Sequence, residues 1–296
     1  MLSFVRKILQ DFSNDGCGVR AAALAYYTIF ALPPLLILLI MLVGLVWDPA
    51  EVQRSLETQF SNMVGPEGGR AIHDMLAHAR RPGSGGVVAT ALGVALLMFG
   101  ALGAFIQLQA ALNRAWEVKP DPRQGGVKRF IMKRLLSLGM ILGVAFLLIA
   151  SLAVSALLGA LSTKVAFPER AFAVMDLALS FTVLTVLFAA IYRFLPDAEV
   201  AWRDVWAGAL VTSLLFVVGK FAIGFYLGRS APGDAFGAAS ALAIILVWVY
   251  FAGIIVLFGA EFTQAWIKRA RGRVVPEPGA VRVVEETRPL QIARGG

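Results

Sequence analysis

The chain has 296 residues, 58% of them hydrophobic, with a formal net charge of +8 and a mean hydropathy of +0.75. Soluble domains are only about 45–50% apolar, and several apolar runs here reach the roughly 18–20 residues that cross a bilayer, so a soluble globule is excluded. One cysteine, Cys17, excludes an internal disulfide and a cysteine-based metal cluster, and two histidines, His73 and His78, leave little for metal chemistry.

The start, MLSFVRKILQDF, has no small-residue cleavage site after a short apolar run and does not read as a secretory signal. Leu2, Val5, Ile8, Leu9 and Phe12 recur at helical spacing with Arg6 and Lys7 between them, which predicts an interfacial helix within residues 1–20. The first span runs from about Ala21 to Trp47 and contains Pro33-Pro34. Each proline lacks an N–H and crowds the carbonyl a turn earlier, so the helix is expected to bend or break there.

A loop over 48–86 follows. Val52, Leu56, Phe60 and Met63 share one helical face, and Ile72, Met75, Leu76 and Ala79 share another. Two short amphipathic helices on the outer surface are predicted. The second span is Val87–Leu112, the third Leu135–Leu161, the fourth Ala171–Leu195, the fifth Val205–Leu227 and the sixth Gly237–Trp266. Short links force antiparallel neighbours among the last four. Gly139–Gly143 and Gly224–Gly228 have the GxxxG spacing that lets helices approach closely. The polar stretch 271–296, with Pro276, Pro278 and a Gly295-Gly296 end, reads as a disordered tail.

Orientation follows from Lys and Arg. The N-terminus, the 113–134 loop, the fourth-to-fifth link and the tail carry well over twice the cations of the opposite side. The fold class is therefore all-α: a six-helix transmembrane domain over 21–270 with both termini in the cytoplasm. Trp116, Trp202, Trp206 and Trp266 fall near the inner interface and Trp47 at the outer one, as an aromatic belt would place them.

Ionisable groups inside a span are costly and default to functional suspects. Lys220 lies about seven residues from the outer end of span five, roughly 10 Å deep at 1.5 Å per residue. Asp176 lies at similar depth in span four, and the hairpin of the two spans is expected to bring them together or onto a shared wet cavity; the plainer reading has Lys220 reaching outward and Asp176 at the interface. At the inner end, Glu261, Asn113, Arg114 and Arg193 converge at one depth, and a Glu261–Arg114 or Glu261–Arg193 pair would neutralise the carboxylate. Gln107 and Gln109 lie one to two turns deeper. An inner gate or headgroup site and plain structural glue are both consistent with that cluster.

His73 and His78 are five apart and fall on different helical faces, so no metal site is expected. Asp197, Glu199 and Asp204 superficially suggest a two-metal nuclease, yet their place between spans reads as a solvated link. No catalytic residue and no cofactor is expected, nor is a nucleic-acid partner; membrane lipids, anionic ones included, are the expected partners.

AALAYYTIFALPPLL in span one resembles the opening motif of the YihY/BrkB family of bacterial inner-membrane proteins. ALNRAWEV, YRFLPDAEVAWRDVWAGAL and GAASALAIILVWVYFAGIIVLFGAEF are similar to its other motifs, in the same order, over residues 11–270. The resemblance implies a six-helix inner-membrane domain and a transporter, lipid-handling or envelope-associated role. It also brings the label ribonuclease BN, regarded as a misassignment, and the residues here form no nuclease centre. The rival expectation is a non-transporting scaffold that recruits envelope partners through the outer loop and the basic inner surface.

Overall fold

Lipid offers no hydrogen bonds, so an apolar run can cross it only by satisfying its own backbone, which a helix does. The computed structural model describes residues 2–45, 47–64, 66–79, 103–121, 123, 169–230, 240–272 and 274–283. Its helices are α1 (Leu2–Asn14), α2 (Cys17–Val43), α3 (Pro49–Val64), α4 (Pro66–Ala79), α5 (103–115), α6 (Glu169–Phe194), α7 (Trp202–Ser230) and α8 (Ser240–Arg271). Among the described residues three stretches are long and apolar enough to cross a membrane, Leu177–Phe194, Trp202–Phe225 and Leu242–Ala270, with a shorter apolar stretch at Cys17–Pro33. The expected third span and most of the second lie outside the described residues.

Gly16 closes α1 with a φ of 62°, a left-handed cap that suits glycine, and α2 starts at the next residue. The expected break at Pro33-Pro34 does not occur: α2 is helical without interruption from Cys17 to Val43. Proline's fixed φ is compatible with a helix, and the cost is the missing bonds to the carbonyls of Ile29 and Phe30. Ile29 before the prolines and Leu36 and Ile40 after them are buried in one cluster, so tertiary packing anchors the helix on both sides of the prolines.

Asp48 caps α3, its carboxylate accepting from the Ala50 N–H at 2.8 Å, with Pro49 in the first helical position. Val52, Leu56 and Phe60 of α3 and the fully buried Ile72 and Leu76 of α4 join that same cluster beside Ile245 of α8. His73 and Asp74 point out to solvent.

Helix α8 is the hub, packing against α2, α7, α1, α4 and α3. Its crossing with α7 has a reciprocal form. Thr263 lies over Gly208, and Thr212 lies over Gly259, each so close that a methyl group on the glycine would collide with the threonine. Each threonine hydroxyl donates back to the glycine carbonyl one turn earlier on its own helix, Thr212 to Gly208 at 2.7 Å and Thr263 to Gly259 at 2.6 Å. Tyr192 of α6 closes the seam, donating to the Val256 carbonyl at 2.7 Å with its hydroxyl oxygen 2.9 Å from that of Thr212. Gly224, expected to mark a close approach, has no neighbour within 4 Å of an added methyl among the described residues. Trp116, expected in the inner aromatic belt, is buried in the core, whereas Trp202, Trp206 and Trp266 are exposed.

The tail is corrected in part. Residues 274–283 are ordered: β3 (Val275–Pro276) pairs antiparallel with β2 (Ala198–Glu199), and β4 (Ala280–Arg282) pairs antiparallel with β1 (Val118–Pro120). Two- and three-residue strands have no periodicity to read, and their pairing exists only once both partner loops are in place. Residues 284–296 lie outside the described residues.

Gly208→Ala and Gly259→Ala should each cost about 1–3 kcal/mol through overpacking of the seam, read as a lowered melting temperature of the detergent-purified protein. Gly224→Ala, with no described neighbour in reach of the added methyl, should melt at or above the wild-type temperature.

Candidate functional site

One end of the bundle gathers polar side chains from four segments. The α1–α2 turn supplies Asp15 and Cys17, α5 supplies Gln109, Asn113 and Arg114, the link after α6 supplies Asp197, and α8 supplies Glu261 and Lys268. Residues 109 and 113 are one turn apart and share a helical face, so both reach the same carboxylate. Asn113 donates to Asp197 Oδ2 at 2.9 Å, and its own oxygen accepts the Asp197 N–H at 2.7 Å. Gln109 reaches Asp197 Oδ1 at a longer 3.4 Å, and the Asp197 carbonyl accepts from Glu277 N at 3.0 Å. Asp197 is 2% exposed, and Asp204 is buried as well. The solvated link expected here is therefore corrected: the carboxylate of Asp197 is a buried structural acceptor, and Glu199 alone of the three is exposed.

A second group lies beside the first. Arg114 Nε donates to Asp15 Oδ1 at 2.9 Å. Glu261 is 1% exposed. Its Oε1 accepts only a weak contact from the Cys17 thiol at 3.5 Å, and its Oε2 has no hydrogen-bond partner among the described residues. The Asp15 carboxyl faces it. Burial pushes the Asp15 carboxyl above the usual aspartate range, against the pull of Arg114.

A third group closes the end. Glu117, in a left-handed backbone conformation with φ 55°, takes Lys268 Nζ at 2.7 Å on Oε1 and Arg282 at 3.2 Å on Oε2. Its carbonyl accepts from Val283 N at 2.8 Å. Burial would raise this carboxyl, but the hydrogen bonds and charges of Lys268 and Arg282 outweigh it and hold the pKa below the ordinary 4.5. Glu117 thus ties the end of α5, α8 and the tail strand together.

Of the residues singled out in the sequence, the structure brings Asn113, Arg114 and Glu261 to this one end. The described partners are Asp15 for Arg114 and Cys17 for Glu261. Arg193 does not neutralise Glu261; it donates to the Val200 carbonyl and staples the link after α6. Gln107 is half-buried, and Gln109 is the glutamine that reaches the network. Lys220 is half-buried in a small recess with Phe216, Trp248 and Ile255; the side chain of Asp176, its expected partner, lies outside the described residues. His73 Nδ1 contacts Glu57 at 3.0 Å on an exposed surface, and no group of three metal-binding side chains occurs among the described residues. The sequence pattern did not single out Asp15 or Glu117, placed Asp197 in a solvated link, and gave Cys17 no role beyond excluding a disulfide and a cysteine cluster. Asp15 and Glu117 sit in loops, where hydrophobic periodicity carries no signal. Asp197 lies in FLPDAEV, within a stretch whose likeness to a family motif was a usable hint.

A family model described as "Virulence factor BrkB" matches residues 8–282. Among curated proteins the chain is 28% identical over 303 residues to a UPF0761 membrane protein of Pseudomonas aeruginosa strain LESB58, covering 98% of this chain and 70% of the relative. It is 30% identical over 271 residues to a UPF0761 membrane protein of Alcanivorax borkumensis, covering 90% of this chain and 60% of the relative. No solved structure matches.

The lowered carboxyl of Glu117 makes its contribution present at neutral pH and lost as pH falls below 4.5 through its own depressed value. Hydrogen exchange, corrected for intrinsic rates, should show the Ala280 and Val283 amides, bonded to the Glu277 and Glu117 carbonyls, protected at neutral pH. Glu117→Gln should expose them there, and in wild type the same loss should appear only on acidification.

Proposed function

The chain is a membrane protein of the BrkB family, and on that footing we propose that it moves or handles an anionic, lipid-like substrate in the bacterial inner membrane. In this reading six helices span the bilayer, both termini face the cytoplasm, α3 and α4 lie on the outer face, and the polar end of the bundle is the inner one. The observation that carries it is Glu261. An ionisable side chain fully buried on α8, with an oxygen lacking a partner among the described residues, is expensive to keep. A helix needed only for packing would gain by replacing it with an apolar residue. At the same end Arg114, Lys268 and Arg282 are paired with Asp15 and Glu117, and Arg269, over the Phe4 ring, is the cation offered to an anionic headgroup. Exposed Val5 and Leu9 on α1 give that end an apolar face for the lipid interface. The reading includes no enzymatic step and no metal or nucleic-acid partner.

The scaffold reading draws on α3 and α4, which are folded firmly onto α2 and α8 and present a defined polar surface through His73 and Asp74.

Topology is tested by cysteine labelling, for which the single native thiol, Cys17, is buried. Lys119→Cys should react with an impermeant maleimide only after the inner membrane is opened, and Arg54→Cys should react in intact spheroplasts; the reverse pattern would overturn the orientation. Function is tested in proteoliposomes by dithionite quenching of NBD-labelled phosphatidylglycerol. Wild type should translocate the label, and Glu261→Gln and Lys220→Met should slow it by about tenfold or more. No translocation above protein-free vesicles would favour the scaffold.

A further inference from the structure

A buried carboxylate is tolerated when donors surround it: ionised, it offers about four acceptor positions and no donor. Glu261 has one weak thiol donor on Oε1 and no hydrogen bond to Oε2 among the described residues. The group facing it, Asp15, is a second acid. The described cation bonded to this pair is Arg114, whose Nε is engaged by Asp15 at 2.9 Å.

Among the described residues, the other charged and titratable groups around the pair add no cation bonded to either carboxylate. Asp11 on α1 adds negative charge near Glu261. On α2, Cys17 is a buried thiol, and Arg20 is turned to the Asp15 main-chain carbonyl at 2.9 Å. Beyond α5, Glu117 already holds Lys268 and Arg282. Among the described residues one guanidinium, that of Arg114, is bonded to these two carboxyls, so the pair carries one negative charge more than its bonded cation offsets. The excess is removed when the two acids share one proton, as like charges in contact do.

From this geometry we infer that Asp15 and Glu261 form a proton-binding pair, with Arg114 as its fixed counter-charge. The bound proton gives one carboxyl an O–H that donates to the other and supplies the partner Glu261 Oε2 lacks. The pair is graded in access. Asp15 is 16% exposed and Glu261 1%, so a proton from bulk water meets Asp15 first, passes to Glu261 and returns by the same route. Asp15 is the relay and Glu261 the inner holder. On the transport reading above, this pair is the coupling site and the proton the coupling ion.

Infrared difference spectroscopy of the full chain in nanodiscs tests the site without any substrate. At neutral pH the wild type should show a protonated-carboxyl C=O stretch that shifts in deuterium oxide. Glu261→Gln should remove it, and Asp15→Asn should shift or remove it. Absence of the band in wild type, or its survival in Glu261→Gln, overturns the proposal. Should Glu261→Gln fail to fold, Asp15→Asn on the half-buried α1–α2 turn decides, and an unchanged band there overturns it equally. Replacing potassium by sodium should leave the band in place; its loss would reassign the site to a metal cation. A band that behaves as expected together with lipid translocation independent of a pH gradient would support the proton site and overturn only its coupling to transport.

Discussion

Everything at the polar end depends on how closely α7 and α8 approach. Each helix carries a glycine followed four residues later by a threonine, and the two helices run antiparallel, so each threonine covers the other's glycine. The threonine hydroxyls are satisfied within their own helices, which lets them enter the seam without stranding a donor. Small residues and internally bonded hydroxyls are what membrane helices use in place of a hydrophobic driving force, because lipid tails are as apolar as the side chains. The seam sets the height of α8 against its neighbours, and Glu261, two residues before Thr263, takes its depth from it.

Above that seam, charge sets the arrangement. Asp197 is held by Asn113, Asp15 by Arg114 and Glu117 by Lys268 and Arg282. These contacts bind segments far apart in sequence: the α1–α2 turn, the end of α5, the link after α6, the end of α8 and the tail. Partly exposed pairs such as Glu117–Arg282 contribute little individually, but they are backed by main-chain hydrogen bonds from Val283 N to the Glu117 carbonyl and from Glu277 N to the Asp197 carbonyl. Against this ordered background Glu261 stands apart, because its neighbours add negative charge to it. A fold that satisfies so many acids at one end and leaves this one under-supplied has a reason beyond packing, and a shared proton provides it.

Family membership and geometry agree on the coarse description, a helical membrane protein. The matched region ends at residue 282, which is the last residue of β4. The tail strands thus lie inside the matched region.

The amino-acid sequence by itself determined what depends on local pattern and on transfer into lipid. That covers the helical class, the three described spans, the placement of cations, the helices of 49–79, and the gathering of Asn113, Arg114 and Glu261 at one end, since depth along a helix follows from counting residues. Tertiary structure alone decided the partners. Arg114 bonds Asp15 and Arg193 bonds a carbonyl, because a side chain's choice among groups at equal depth depends on helix rotation, which sequence spacing does not set. It also kept α2 continuous through Pro33-Pro34, buried Asp197 and built strands from a tail that composition alone marks as disordered. Each of these outcomes rests on contacts between segments distant along the chain, and those contacts have no local signature.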